Sequence, residues 1–222
     1  MGQIEAVIFN LDGVLVTTDA CHFQAWRQMA REHGIPFDKA MYETIRGKSR
    51  MDGLSLMLEK AQRSFSEGEK LALATRKNDL YMTYIEALGL ECMLPGAAET
   101  VDALKKRGLK VAVGSSSQNA HFILRQLRLR EQFDAVADGN QTMFLKPHPE
   151  VFLLAARKMG VQPAGCLVVE DEEDGLIAAH RAGMRALGLG KAAGSPEADF
   201  RADSLALVDL PALIARANQQ QN

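Results

Sequence analysis

A short apolar run that breaks into polar residues and then passes into a helical pattern occurs four times in this chain. Ala6-Val7-Ile8-Phe9 leads to Asn10-Leu11-Asp12-Gly13, and Lys110-Val111-Ala112-Val113 leads to Gly114-Ser115-Ser116-Ser117-Gln118-Asn119. Ala135-Val136-Ala137 precedes a loop with Lys146-Pro147-His148-Pro149, and Cys166-Leu167-Val168-Val169 ends in Glu170-Asp171-Glu172-Glu173-Asp174-Gly175. Runs this short and this apolar suit strands buried on both faces. Their alternation with helical stretches predicts an α/β fold, a parallel sheet with helices on both faces. Open sheets of this kind bind ligands at the carboxyl ends of their strands. The polar residues after each run are therefore the candidate site, with Gly13 allowing a sharp turn.

Between about residues 19 and 88 the pattern is helical and holds no strand. Asp19 is the expected N-cap of a helix carrying Phe23, Trp26, Met29 and Ala30, ended by Gly34-Ile35-Pro36. Ser66-Glu67-Gly68-Glu69 is a capping box that opens a long helix through Leu71, Ala74, Leu80 and Ile85, closed by Gly89. The α/β pattern resumes at Leu94-Pro95-Gly96, with helices expected up to Arg107 and over 121–127 and 150–159. The division expected is an α/β core at 1–16 and 93–222 and a helical insertion at 17–92. The polar end, 218–222, is expected to fray.

The chain has 222 residues, enough for one core with a modest insertion. A formal net charge of −2 gives no support for nucleic-acid or membrane binding. No apolar run approaches the ~18 residues of a membrane span. Cys21, Cys92 and Cys166 form no CxxC and cannot all pair, which points to a reducing compartment. With no signal-peptide pattern at its start, the chain is expected to be a cytoplasmic monomer that binds a small molecule.

Each polar cluster alone has an ordinary explanation. Serine-rich turns cap helices, a lysine before proline is usually solvated, and acidic residues complement a helix N-terminus. Together, in this order, they resemble the four motifs of the haloacid dehalogenase superfamily, whose fold is a Rossmann-like parallel sheet with, here, a small all-helical cap. His22 with Trp26, Gly47-Lys48-Ser49-Arg50, Arg76-Lys77-Asn78-Asp79 and Ser116-Ser117-Gln118-Asn119 sharpen the resemblance to the β-phosphoglucomutase group. That group moves a phosphoryl group on a hexose phosphate with Mg²⁺. The resemblance puts Asn10 at the nucleophile's position and makes Asp12 the general acid/base, assisted by His22. It makes Asn10, Asp12 (through its carbonyl), Asp171 and the nearby Glu170 the metal set. Ser115 and Lys146 would hold the transferring phosphate and Arg50 a second one. Trp26, Lys48, Lys77, Ser116, Ser117, Gln118, Asn119, Phe144 and Leu145 would border the sugar phosphate.

The chemistry accounts for these residue types. Phosphoryl transfer needs cations around the equatorial oxygens, a carboxylate nucleophile divides one hard transfer into two, and a second carboxyl group shuttles the proton. The departures bear on the same chemistry. Asn10 has no nucleophilic carboxylate oxygen, so no aspartyl-phosphate can form there, and Mg²⁺ binding is expected to be weakened. Thr17, Lys48, Glu172 and the run Met143-Phe144-Leu145 also depart from the group's pattern. Lys146 is expected either to lie against an apolar wall or to neutralise Glu170, Asp171 and Glu172. Three readings follow: a β-phosphoglucomutase-like scaffold inactive in its parent reaction, a scaffold rebuilt by divergence or design for a non-phosphate ligand, or a sugar-phosphate-binding pseudoenzyme.

Overall fold

The computed structural model describes residues 2–61 and 63–219. After strand β1 (Ala6–Phe9) come four helices, α1 (Asp19–Glu32), α2 (Lys39–Ile45), α3 (Arg50–Leu58) and α4 (Glu67–Glu86). The chain continues as α5 (Ala97–Lys106), β2 (Lys110–Gly114), α6 (Ala120–Gln126), β3 (Ala135–Ala137) and α7 (Glu150–Met159). It ends with β4 (Cys166–Glu170), α8 (Glu173–Arg181), β5 (Arg185–Leu189), β6 (Phe200–Ala202) and α9 (Leu210–Gln219). Two compact units result, one of Thr18–Leu88 and one of Met1–Thr17 with Gly89–Asn222. The helical unit ends at Leu88, not at residue 92, because Thr17 N–H bonds Cys92 O at 2.8 Å and Leu94 N–H bonds Leu15 O at 2.9 Å. Those bonds tie the returning chain to the end of the first loop.

Among the described residues of the α/β unit the six strands are all parallel, in the order β3-β2-β1-β4-β5-β6. Strand order reverses at β1, which pairs Phe9 with Val113 on one side and with Val169 on the other. That reversal opens a crevice at the strands' carboxyl ends, the place where such sheets take ligands. Alternation along β1 sends Ala6 and Ile8 into one layer, with Phe152 and Ala155 of α7 and Leu176 of α8. Val7 and Phe9 face the opposite layer and are equally buried, and there α5 packs on β2 with α9 against it. Phe152 is fully buried, and truncating such a ring to alanine costs about 3–5 kcal/mol.

The sequence leaves β5, β6 and α9 undetected. Ala186-Leu187-Gly188-Leu189 lacks the β-branched residues that mark the other strands. Gly188 is needed there because a Cβ would lie 2.5 Å from Ala192 O. The expected fraying at 218 is corrected by Asn218, whose Oδ1 accepts from Ile4 N–H at 2.7 Å and whose Nδ2 donates to Ile4 O at 3.1 Å. This side chain supplies the backbone bonds that a neighbouring strand would otherwise give. Residues 220–222 lie outside the described residues.

The helical unit holds no strand among its described residues. Ser66 and Glu69 form the expected capping box, Ser66 N–H donating to Glu69 Oε2 at 2.8 Å and Glu69 N–H to Ser66 Oγ at 3.3 Å. Asp38 and Ser49 cap α2 and α3 with their side chains alone, accepting from Met41 and Asp52 N–H. At α1 the expected cap is corrected. Thr18 is the cap residue and Asp19 lies in the first turn, where its carboxylate accepts from Tyr42 Oη at 2.8 Å and pairs with Arg46 at 2.9 Å. The end of α4 is also earlier than Gly89 suggests, since the helix stops at Glu86 and Gly89 opens a single 3-10 turn.

His180, in the last turn of α8, lies between two carboxylates of the β5–β6 connection, with Nδ1 2.9 Å from Glu197 Oε2 and Nε2 3.0 Å from Asp199 Oδ2. A neutral imidazole donates from one nitrogen only, so both bonds require the imidazolium. Burial opposes that charge, but Asp199 and Glu197 outweigh it and raise the pKa above the ordinary histidine value of 6.5. With its pKa raised on folding, His180 contributes stability that is full below about 6.5 and is lost as pH rises through the folded value. The side chain is 35 % exposed, so solvent screening limits the pair to about 1 kcal/mol. His180→Gln should lower the midpoint of urea unfolding at pH 6 and have little effect at pH 9. An equal loss at both pH values would show that the charge contributes nothing.

Candidate functional site

The crevice side of β1 is built by a tight loop. Asn10 N–H still bonds Val169 O at 2.9 Å, so position 10 is held in strand register. The chain then turns through Gly13, with φ of +80°, and closes with Gly13 N–H to Val16 O at 2.8 Å and Leu15 N–H to Leu11 O at 2.9 Å. Glycine is required at 13 for a second reason. A Cβ there would lie 1.9 Å from Asp171 Oδ2, so the first motif and the end of β4 pack together only if this residue has no side chain.

Five of the expected residues converge here. Asn10 Oδ1 accepts from Lys146 Nζ at 3.1 Å. Asn10 Nδ2 donates to Asp12 O at 2.9 Å and to Asp171 Oδ1 at 3.1 Å. The orientation of the amide follows from its partners. Lys146 is only a donor, while the carbonyl and the carboxylate are acceptors, so the oxygen must face the lysine and the nitrogen the other two. Glu170 is fully buried at the end of β4, where it forms an ion pair with Lys146 through Oε1. Its Oε2 accepts from Asp171 N–H at 3.0 Å and Glu172 N–H at 3.3 Å. Lys146 thus neutralises a carboxylate, the second of the two expectations for it, and its ammonium also lies 4.8 Å above the ring of Phe152.

Burial and then the neighbouring Glu170 charge push Asp171 up to about 7, against the Asn10 hydrogen bond, which favours the charged form. Asp12 is half-buried at the turn. As they stand, these donors do not fit the Mg²⁺ that the family resemblance implies. Both oxygens of Glu170 are engaged within the protein, the Asn10 oxygen is turned to Lys146, and the Asn10 N–H groups face Asp12 O and Asp171 Oδ1. Among the described residues no group of three or more His, Cys, Asp or Glu side chains is placed to hold a metal.

Beside this cluster, on the neighbouring strand, β2 ends in the serine loop. Ser115 is buried, its N–H bonding Ala137 O at 3.0 Å, and its Oγ accepts from Ser117 N–H at 3.1 Å. Ser117 Oγ accepts from Asn119 N–H at 3.2 Å, while Ser116 is half-buried and Gln118 exposed. Two hydroxyl-capped turns in succession give the loop a fixed shape just before α6. Phe144 and Leu145 lie on an exposed loop whose backbone is fixed by Glu150, Oε2 accepting from Met143 and Phe144 N–H at 2.9 Å each. The Phe144 ring faces His148 at 4.5 Å and not Lys146.

The helical unit gathers a second group. Lys77 is only 3 % exposed, with Nζ 2.7 Å from His22 Nδ1 and 4.9 and 4.8 Å from the rings of Trp26 and Tyr81. His22 stacks on Tyr81 at 4.1 Å. Burial, then the Lys77 and Arg50 charges, hold His22 well below its ordinary pKa, so its Nδ1 accepts from the ammonium and its Nε2 carries the proton. Arg50 is half-buried at the start of α3 and Lys48 is exposed in the preceding turn.

Three contributors went unidentified in the sequence. Phe152 lies beneath Lys146, Tyr81 supports His22, and Gly175 clears space for Glu170, since a Cβ there would lie 2.1 Å from the Glu170 carboxyl carbon. The glycine five residues after Glu170 is the signal that was available for the last of these.

Comparison with known proteins bears on what this arrangement belongs to. Residues 4–183 match the model of the haloacid dehalogenase-like hydrolase family. The chain is 40 % identical over 190 residues to a β-phosphoglucomutase of Bacillus subtilis (strain 168), covering 85 % of this chain and 84 % of the relative. A phosphorylated-carbohydrates phosphatase of Thermotoga maritima is 30 % identical over 209 residues, 92 % of this chain and 94 % of that one. The crystal structure of a β-phosphoglucomutase from Clostridium difficile superposes with a TM-score of 0.88 at 34 % identity, over 99 % of both chains. A strand-end cluster of this geometry, on a parallel sheet interrupted after β1 by helices, places the chain in the haloacid dehalogenase-like hydrolase family, on a β-phosphoglucomutase-like scaffold.

Proposed function

We propose that this chain binds a sugar phosphate in the manner of its relatives but does not carry out their covalent phosphoryl transfer. The observation that carries the reading is the chemistry at position 10. An amide oxygen accepting a lysine hydrogen bond at 3.1 Å is neither anionic nor nucleophilic enough to displace an alkoxide from phosphorus. The parts that hold an oxyanion are retained. Lys146 supplies a cation, the Ser115 hydroxyl keeps its own hydrogen to donate while its oxygen accepts from Ser117 N–H, and Arg50 is assigned the second phosphate. Asp12 remains as an acid/base group. Asn10 also removes one anionic oxygen from the set that would hold Mg²⁺ in the relatives' manner.

A second reading, a site rebuilt for a ligand with apolar surface, draws support from the exposed run Met143, Phe144 and Leu145, at 86 %, 54 % and 45 % exposure. Calorimetry with β-glucose 1-phosphate separates the two. Binding favours the first reading, and its complete absence moves the assignment to the second.

The covalent step is tested by restoring the nucleophile. Asn10→Asp should raise Mg²⁺-dependent turnover of β-glucose 1-phosphate, assayed with a trace of bisphosphate, on the order of 10³-fold or more. No gain would place the block in the other departures as well. Arg50→Ala should weaken β-glucose 1-phosphate binding roughly tenfold or more, the value of a charge-assisted bond to phosphate, with unchanged thermal stability. Equal affinity in both proteins would remove Arg50 from the phosphate site.

A further inference from the structure

The side chain of Asn10 does more than lack a charge. An –NH₂ group carries two N–H bonds, and here both are engaged, one with Asp12 O at 2.9 Å and one with Asp171 Oδ1 at 3.1 Å. These are two of the oxygens that the family resemblance would assign to a divalent cation. The third, the oxygen at position 10, is bonded to Lys146 instead. The amide therefore draws together the oxygens that a cation would draw together, and does so with the partial positive charge of its hydrogens. We propose that the Asn10 amide substitutes for the divalent cation, cross-linking the Asp12 carbonyl and the Asp171 carboxylate so that the crevice is assembled without metal.

The competition between amide and cation is decided by directionality. Mg²⁺ needs near-octahedral oxygens at about 2.0–2.1 Å and sheds its own water reluctantly. To enter, it has to displace both N–H bonds at once. Turning the amide over would offer its oxygen to the cation, but it would also aim the N–H groups at the Lys146 ammonium, setting donor against donor. Lys146 cannot swing away freely, since Glu170 and the Phe152 ring hold its other side. The amide is thus fixed in the orientation that excludes the ion. Gly13 reinforces this by letting Asp171 approach the loop.

Simple loss of an anionic ligand makes a different forecast from occupation by an amide. If only charge matters, removing the side chain altogether restores nothing. If the amide occupies the cation's role, removing it frees the Asp12 carbonyl and Asp171 and lets Mg²⁺ compete again. The test is the shift in thermal midpoint, at matched ionic strength, between EDTA and saturating MgCl₂ for the parent chain, Asn10→Ala and Asn10→Asp, with Mg²⁺ calorimetry on each. The parent chain should show no Mg²⁺-specific shift and no binding heat. Asn10→Asp should rise by roughly 5–10 °C once Mg²⁺ exceeds its Kd about 100-fold, and Asn10→Ala should show a smaller but measurable rise. Asn10→Ser serves in place of Asn10→Ala if the latter does not melt cooperatively. A parent chain stabilised by Mg²⁺ as much as Asn10→Asp overturns the proposal, and so does an alanine or serine variant no more responsive than the parent.

The inference rests on the phosphate-binding reading only for what the metal-free crevice holds, and a further arm separates the two. Calorimetry of inorganic phosphate with the parent chain should give the same affinity, within about twofold, in EDTA and in Mg²⁺. Phosphate binding that requires Mg²⁺ overturns the substitution and leaves the binding reading intact. Absence of phosphate binding in both media removes the binding reading, while the Mg²⁺ titrations still decide the role of the amide.

Discussion

The ion pair of half-buried Lys146 with the buried Glu170 is the interaction on which the α/β site depends. Placing a carboxylate at zero exposure costs several kcal/mol unless its charge and its lone pairs are met. Glu170 meets that requirement with one lysine and two backbone N–H groups. The consequences spread through the chain. Gly175 must lack a Cβ so that the carboxylate fits, and Phe152 must present its ring so that the ammonium is covered on its other side. Gly114 must in turn be bare, because a Cβ there would lie 2.8 Å from that ring. Buried ion pairs seldom add net stability. This one positions the end of β4 and, through Lys146, the amide at the end of β1.

The helical unit handles a buried cation differently. Lys77 faces the neutral nitrogen of His22 and the faces of Trp26 and Tyr81. Aromatic rings attract a cation without themselves carrying charge, and the ammonium fixes the tautomer of His22 by requiring an acceptor at Nδ1. The result is an imidazole held neutral with its Nε2 proton available. A sequence in which lysine and histidine lie 55 positions apart gives no sign of this pairing, since α1 and α4 must first pack against each other.

What could be read from the chain beforehand follows from how locally each feature is encoded. The strands β1 to β4 are apolar runs of a few residues ending in polar clusters, and the boundaries expected for β3 and α7 match the structure to the residue. The capping box of α4 is also local, needing only Ser66 and Glu69. Strand β5 carries no local sign because alanine and glycine replace branched residues, and β6 none because it is two half-buried residues around an exposed arginine. Asp19 reads locally as a cap, but its partners, Tyr42 of α2 and Arg46 at the end of that helix, are distant in sequence. In the site, the identities of Asn10, Asp12, Lys146, Glu170 and Asp171 were legible as strand-end residues. Which oxygen faced which nitrogen was not, because that depends on three-dimensional neighbours.

The difference between a carboxylate and an amide of the same shape shows how much rests on those neighbours. Asparagine matches aspartate in volume, so neither the register of β1 nor the turn at Gly13 has to change. What changes is the sign of one end. A carboxylate at position 10 would place a second anionic oxygen against Asp171 and the Asp12 carbonyl, three acceptors with no donor among them, an arrangement that holds together only around a cation. The amide places a donor among those acceptors and keeps an acceptor toward Lys146, so every contact around position 10 is complementary within the chain itself. The fold tolerates the exchange because the cluster is arranged around opposite polarities, and the side chain at position 10 determines whether an external ion is needed to complete them.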